Sequence, residues 1–212
     1  MFYPFKEPIM RNIICCILGI ILIASCGLGS SNKPESRSMR YNSDTLVKFK
    51  QFLEKFKPLK LPYYANTSCY EPDSNMSMHL DPVNDSLFVK HCEMGISVGL
   101  FPDTSTFYAL IYGGAAACYL PILAVYSKDG RQICEEQIAN GCGCGPGYTC
   151  HDSIAIKSMT DITQIFNQEM VDLDSLGKEI ESTRQKTFDV NKFYIDESGK
   201  INKKTTHKII KK

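Results

Sequence analysis

Two short runs, TFYALIYG (Thr106–Gly113) and YLPILAVYS (Tyr119–Ser127), decide the fold. Both are dense in Tyr, Ile, Leu, Phe and Val, and both are bounded by Gly, Pro or Ser. β-Branched and aromatic residues fit a pleated, covered surface, and runs of this length suit strands better than helices. The two runs therefore read as buried strands.

Working outward, three segments share one form: SKDGRQI (Ser127–Ile133), DSLGKEI (Asp174–Ile180) and DESGKI (Asp196–Ile201). Each has a polar turn, then Gly and a basic residue, with Ile restarting an inward face. Glycine supplies the positive φ that tight turns need, so the three predict consecutive antiparallel hairpins. Their spacing is too irregular for a propeller or solenoid repeat. RQICEEQI (Arg131–Ile138) and HDSIAIKSM (His151–Met159) read as further strands, and LKLPYYA (Leu59–Ala65) as a short or edge strand. NDSLFVKHC (Asn84–Cys92) reads as one or two helical turns. Ile162, Phe166, Met170, Leu173 and Ile180 would also fit a helical face. Gly177 is poorly placed inside a helix, so VDLDSLGKEI (Val171–Ile180) is expected to form a hairpin.

One helix is expected ahead of the strands, in SDTLVKFKQFLEKFKP (Ser43–Pro58). Leu46, Phe49, Leu53 and Phe56 recur at spacings of three and four, Ser43 or Asp44 can cap its start, and Pro58 stops it. Phe49, Phe52 and Phe56 require an apolar surface to dock on. The predicted class is α+β: an N-terminal amphipathic helix packed on an antiparallel β-meander, stapled by disulfides.

The first residues belong to none of this. Arg11 precedes an apolar run from Ile13 to Ile23, which is short for a membrane span of about 20 residues and has the form of a signal-peptide core. It ends in Ile23-Ala24-Ser25-Cys26, which resembles a bacterial lipobox. The resemblance implies cleavage before Cys26 and a diacylglycerol on its thiol. Ordinary secretory cleavage or an uncleaved anchor are the alternatives, and Met10 offers a second start. GLGSSNKPESRSMRYNSD (Gly27–Asp44) is polar and Ser-rich, a composition that reads as a flexible tether. The expected division is a signal peptide over 1–25, lipidated cysteine and tether over 26–42, and one domain over 43–212. In outline the chain resembles small uncharacterised lipoproteins of Gram-negative bacteria, which implies a lipid-anchored place in the cell envelope, facing the periplasm or at the outer membrane.

Loss of Lys6, Glu7 and Arg11 with the leader takes 24 basic and 23 acidic residues to 22 of each. Balanced charge gives no field that would draw the domain onto nucleic acid. The C-terminal stretch is locally basic, with Lys200, Lys203, Lys204, Lys208, Lys211 and Lys212. It reads as a solvated strand and terminus, or as a contact for phospholipid headgroups. Of ten cysteines, Cys15 and Cys16 leave with the signal and Cys26 takes the lipid. Cys69, Cys92, Cys118, Cys134, Cys142, Cys144 and Cys150 remain. In an oxidising compartment most should pair, and an odd number leaves at least one over.

The most chemical-looking segment is NGCGCGPGYTCH (Asn140–His151). Cys142, Cys144, Cys150 and His151 could form a Cys₃His zinc site, although C-x-C is not the spacing of a zinc knuckle. Cys142 and Cys144 could form a redox dithiol, although no helix follows to lower a thiol pKa. The favoured reading is a long hairpin loop between RQICEEQI and HDSIAIKSM, stapled by Cys150 to Cys142 or Cys144. His91-Cys92 and Cys150-His151 are neighbours whose side chains point to opposite faces of a strand, so neither forms a thiolate–imidazolium pair by itself. His79, His91, His151 and His207 are too scattered to define a centre. Asp172, Asp174 and Gly177 match three positions of a calcium loop, but Leu176 and Thr183 stand where ligands are needed, which leaves a turn. No phosphate-binding loop, nucleophile elbow or zincin helix is present, and no cofactor is expected. The NTS at Asn66 has the form of a glycosylation sequon. The expected function is non-enzymatic: a membrane-tethered binding or scaffold domain for an envelope protein or glycan. The alternative is a thiol-redox protein using Cys142, Cys144 or Cys150.

Overall fold

Strands β3 (Tyr108–Gly114) and β4 (Leu120–Tyr126) are the two inner strands of a four-stranded sheet, and both of their faces are covered. This is why their sequences run apolar without alternation. Ala109, Ile111, Leu123 and Val125 point one way, into a core shared with Ile154, Ile156, Ile162, Phe193 and Ile195. Leu110, Tyr112, Ile122, Ala124 and Tyr126 point the other way, against Phe49, Phe52, Phe56 and Phe88. Each fully buried side chain of this size contributes about 1.5–3 kcal/mol.

The computed structural model describes residues 43–66, 78–90, 93–114, 119–143 and 145–211. The signal segment, Cys26, the tether, His91, Cys69, Cys92, Cys118 and Cys144 lie outside the described residues. The chain divides between Met39 and Arg40, and the described residues all belong to the second unit.

That unit is mainly β. β2 (Ile96–Leu100), β3, β4 and β5 (Gln132–Gln137) form a four-stranded antiparallel sheet in chain order. β1 (Tyr63–Asn66), β6 (Tyr148–Ser158), β7 (Asp161–Met170), β8 (Gln185–Ile195) and β9 (Ile201–Lys211) form a five-stranded antiparallel sheet in that order. The two sheets enclose the first core between them. The expected α+β class is thus corrected. α1 covers only Ser43–Leu53, and 3₁₀ turns at Asp85–Leu87 and Glu181–Thr183 are the other helical pieces among the described residues. One short helix cannot weigh against nine strands.

α1 ends earlier than Pro58 would require. Its buried face is Phe49 and Phe52, continued past the helix by Phe56, while Leu46 and Leu53 are only partly covered. Phe49 meets Tyr126 at 5.4 Å between ring centres, and the Tyr126 hydroxyl donates to the Phe88 carbonyl at 2.6 Å. Lys55 Nζ lies 2.5 Å from the buried Asp85 carboxylate, fastening the end of the helix to the 3₁₀ turn.

All three glycine turns are present. Gly130 (φ +88) closes the β4–β5 hairpin and Gly199 (φ +82) the β8–β9 hairpin. Gly177 (φ +78) forms a smaller turn inside the connection from β7 to β8. Residues 162–170 are strand, not helix.

Candidate functional site

The Gly- and Cys-rich segment is not a hairpin loop. β5 and β6, which it joins, belong to different sheets, so it carries the chain from one layer to the other. Cys142 is bonded to Cys150, with the Cα atoms 5.7 Å apart. Behind the bridge, Asp152 is fully buried on the inward face of β6. Its Oδ2 accepts the backbone N–H groups of Asn140 (2.8 Å) and Gly141 (2.9 Å). Its Oδ1 accepts from Gln164 Nε2 at 2.8 Å. Asn191 Nδ2 donates to Gln164 Oε1 at 2.8 Å, and the Thr205 hydroxyl donates to Asn191 Oδ1 at 2.6 Å. One polar row therefore crosses β6, β7, β8 and β9 and ends in the crossover backbone. A buried carboxylate is tolerated because it is hydrogen-bonded in this way.

These contacts identify the segment as a buckle. Both sulfurs of Cys142 and Cys150 are used in the bridge, and His151, next on β6, points to the opposite face of the sheet. Of the four residues considered for zinc, Cys144 lies outside the described residues, Cys142 and Cys150 are bonded to each other, and His151 faces away from them. No group of three metal-ligating side chains occurs among the described residues. Cys134 is a free, half-buried thiol that donates to the Gly199 carbonyl at 3.1 Å. Burial, then the charges of Asp196 and Glu136, push its pKa up, the reverse of what a reactive thiol needs. Asp174 turns its carboxylate onto the N–H groups of Leu176 (2.8 Å) and Lys178 (2.9 Å) of its own turn. His79 stands exposed at a bridge to Ile96, and His207 Nδ1 pairs with Asp189 Oδ1 across β8 and β9.

The most open feature is the outward face of the five-stranded sheet. On β6, β7 and β8 alternate residues face the core, which leaves the intervening set pointing away from it. Four large apolar side chains on that set are exposed: Tyr64 (65 %), Ile165 (43 %), Tyr194 (45 %) and Ile210 (43 %). Two shallow depressions lie side by side. The first, about 420 Å³, is lined by Tyr64, Asn66, Ser153, Ala155, Thr163 and Ile165. The second, about 290 Å³, is lined by Thr149, His151, Asn167, Glu169, Lys186 and Phe188. His151, Asn167 and Phe188 stand opposite one another on adjacent strands. Asn167 Oδ1 is buried there and finds no hydrogen-bond partner among the described residues.

The second depression is a poor place for acid–base chemistry. Glu169 is held by Lys186 Nζ at 2.7 Å and by Arg184, and the hydrogen bonds from both lower its pKa, that from Lys186 most. A carboxylate kept ionised neither donates a proton near neutral pH nor takes one readily. What the face offers is contact area, polar groups and one unsatisfied acceptor, which suits binding.

No family model, curated protein or solved structure matches the chain.

Sequence pattern marked the crossover as the place to look, because cysteine and glycine stand out. It missed the open face, whose residues are ordinary strand residues. Strand alternation in DITQIFNQEM was the available signal, once the inward set is known to contain Ile162, Gln164 and Phe166.

Proposed function

We propose that this chain is a non-enzymatic binding or scaffold domain of the bacterial cell envelope, tethered through a lipid on Cys26, and that it binds through the outward face of the five-stranded sheet. The observation that carries the reading is that face. It combines four exposed large apolar side chains with two adjacent depressions and an Asn167 oxygen unsatisfied among the described residues, and its Glu169 carboxylate is tied to Lys186 and Arg184. Tyr64 and Ile165 share the first depression, while Tyr194 and Ile210 stand at opposite ends of the β8–β9 pair, and depressions of mixed apolar and polar lining on one face suit a binding surface. The lipobox-like Ile23-Ala24-Ser25-Cys26 supports the envelope location. Among the described residues no helix is long and apolar enough to cross a membrane.

A photo-crosslinking residue at Ile165 or His151 tests this in intact envelopes. Adducts are expected from both positions and not from Lys90, which lies beside the helix layer. Equal crosslinking from all three, or turnover of a small substrate by the purified protein, rejects it.

The thiol-redox alternative draws on the Cys142–Cys150 bridge, which is only half-buried and has Cys144 nearby in sequence. It requires a mixed disulfide with an envelope protein to accumulate in a Cys142→Ser or Cys150→Ser variant. Absence of such a species from both variants removes the alternative.

A further inference from the structure

The charge on the open face is not evenly placed. Its carboxylates are partnered: Glu169 by Lys186 and Arg184, and Asp161 by Lys157 at 3.6 Å. Lys192, Lys204 and Lys208 are exposed and make no ion pair among the described residues. All three belong to the outward set of β8 and β9, and Lys192 stands directly opposite Lys204 in the register. Like charges directly opposite on a sheet are unfavourable. Among the described residues no carboxylate pairs with either lysine, and an anion outside the chain would offset them. Lys208 is four residues along β9 from Lys204, about 13 Å at strand rise, and pairs across with Phe188. Tyr194 and Ile210, both exposed, flank the lysines on the same face.

We infer that the β8–β9 half of this face docks on an anionic lipid bilayer. The inference rests on the reading of the face as the binding surface and names its partner. Charge complementarity requires an anionic partner, and the arrangement of the patch selects a bilayer. The lysines are spread across two strands with a tyrosine and an isoleucine at the margins, and the depressions beside them are shallow. That layout suits a planar array of phosphates over an apolar interior, with lysine stems lying along apolar surface. An acidic peptide adding itself as a strand would engage the β9 edge through backbone groups and would leave the face open. The span from Cys26 to Ser43 reaches at most about 60 Å when extended, so a lipid on Cys26 lets this face lie against the same membrane.

The test uses the full chain reconstituted into phosphatidylcholine vesicles with and without phosphatidylglycerol, and in native envelope membranes. A membrane-impermeant amine reagent labels exposed lysines, read by peptide mass spectrometry. Lys192, Lys204 and Lys208 should label several-fold more slowly on anionic vesicles than on neutral ones. High salt should remove the difference, and Lys90 should not change. In Lys192→Glu/Lys204→Glu, shown by circular dichroism to be folded, the protection of Lys208 should be lost. Equal labelling on both vesicle types overturns the bilayer inference. If the lysines are nevertheless protected in native envelopes, the face still binds, and its partner is a protein or glycan. Protection in neither setting overturns both readings. Flotation with neutral vesicles reads the N-terminal anchor separately, and a chain that floats only with anionic vesicles loses the anchor and keeps the docking face.

Discussion

Gln164 Nε2 donates to Asp152 Oδ1 at 2.8 Å on the inward face of the five-stranded sheet, where neither residue is more than 1 % exposed. The pair links the sheet to the crossover that joins the two layers, because the other oxygen of Asp152 holds Asn140 and Gly141. Removing the carboxylate strands three donors at once. Asp152→Ala is therefore expected to lose about 3–5 kcal/mol, a large part of the stability of a domain this size. Asp152→Asn keeps an acceptor and should lose less, about 1–2 kcal/mol. Urea midpoints measure both. Faster hydrogen exchange at the Asn140 and Gly141 amides should accompany the loss.

The Cys142–Cys150 bridge closes a loop with a sequence separation of 8. Chain entropy for so short a loop amounts to about 2–3 kcal/mol. Cys142→Ser/Cys150→Ser should lower stability by about that amount and leave the far-ultraviolet circular dichroism unchanged, since Asp152 still holds the entry to the crossover. Loss of strand signal in the double variant would mean that the bridge, not Asp152, organises this segment.

Cys134 should resist alkylation in the folded protein and react quickly once unfolded. Its thiol is desolvated and donates to Gly199, and nearby Asp196 and Glu136 further disfavour the thiolate. A thiol whose pKa is raised by folding stays neutral in the native state while the unfolded chain ionises. Its contribution is whole below the unfolded thiol pKa and declines as pH rises above it. Cys134→Ala should flatten that alkaline decline. Native-state labelling as fast as that of a free thiol would contradict the burial.

Acid acts at the other hairpin end. The Asp196 carboxylate accepts from the Ser198 hydroxyl (2.6 Å), Asn202 Nδ2 (3.0 Å) and the N–H groups of Ser198 and Lys200. These bonds, Ser198 first, lower its pKa from 3.8 to about 2. A carboxylate depressed in this way supports folding above its unfolded pKa, and the support is lost as pH falls through the folded value. The urea midpoint should hold at pH 5 and drop between pH 4 and pH 2, and Asp196→Asn should reduce the drop. An unchanged acid limb in the variant would assign acid lability elsewhere, with Glu169 the next carboxylate to replace.

Strand type was legible in Tyr108–Gly114 and Leu120–Tyr126 because short runs rich in β-branched and aromatic residues, bounded by Gly, Pro or Ser, suit a covered strand better than a helix. The turns at Gly130, Gly177 and Gly199 were legible because positive φ leaves a glycine behind. Sheet membership was not. The run from Asn140 to Gly147 carries the same glycines as a hairpin would, and only its partners show that it changes layers. Asp152, Gln164 and Asn191 look like solvent-facing residues in the sequence, yet they sit inward because they satisfy one another. On α1 the docking of Phe49, Phe52 and Phe56 was legible, but Leu46 and Leu53, which also fit helical spacing, are only partly covered, because the rings of Phe88 and Tyr126 receive Phe52.

The seating of α1 depends on a glycine in another element. A Cβ on Gly130 would stand 2.7 Å from Phe49 Cγ, and φ there is +88. Gly130→Ala incurs both the left-handed backbone penalty and the clash, a loss of about 2–3 kcal/mol. Phe49→Ala empties a fully buried site among Phe52, Phe88, Tyr108 and Tyr126 and should lose about 3–5 kcal/mol. In the double variant the contacts with the ring are gone, and only the tight 3.1 Å approach to the Cβ at position 49 remains. The backbone penalty remains. The combined loss should fall short of the sum by about 1–2 kcal/mol. Additivity within about 0.5 kcal/mol would show that Phe49 is not seated on the β4–β5 turn, and the aromatic layer over that sheet would then need another point of attachment.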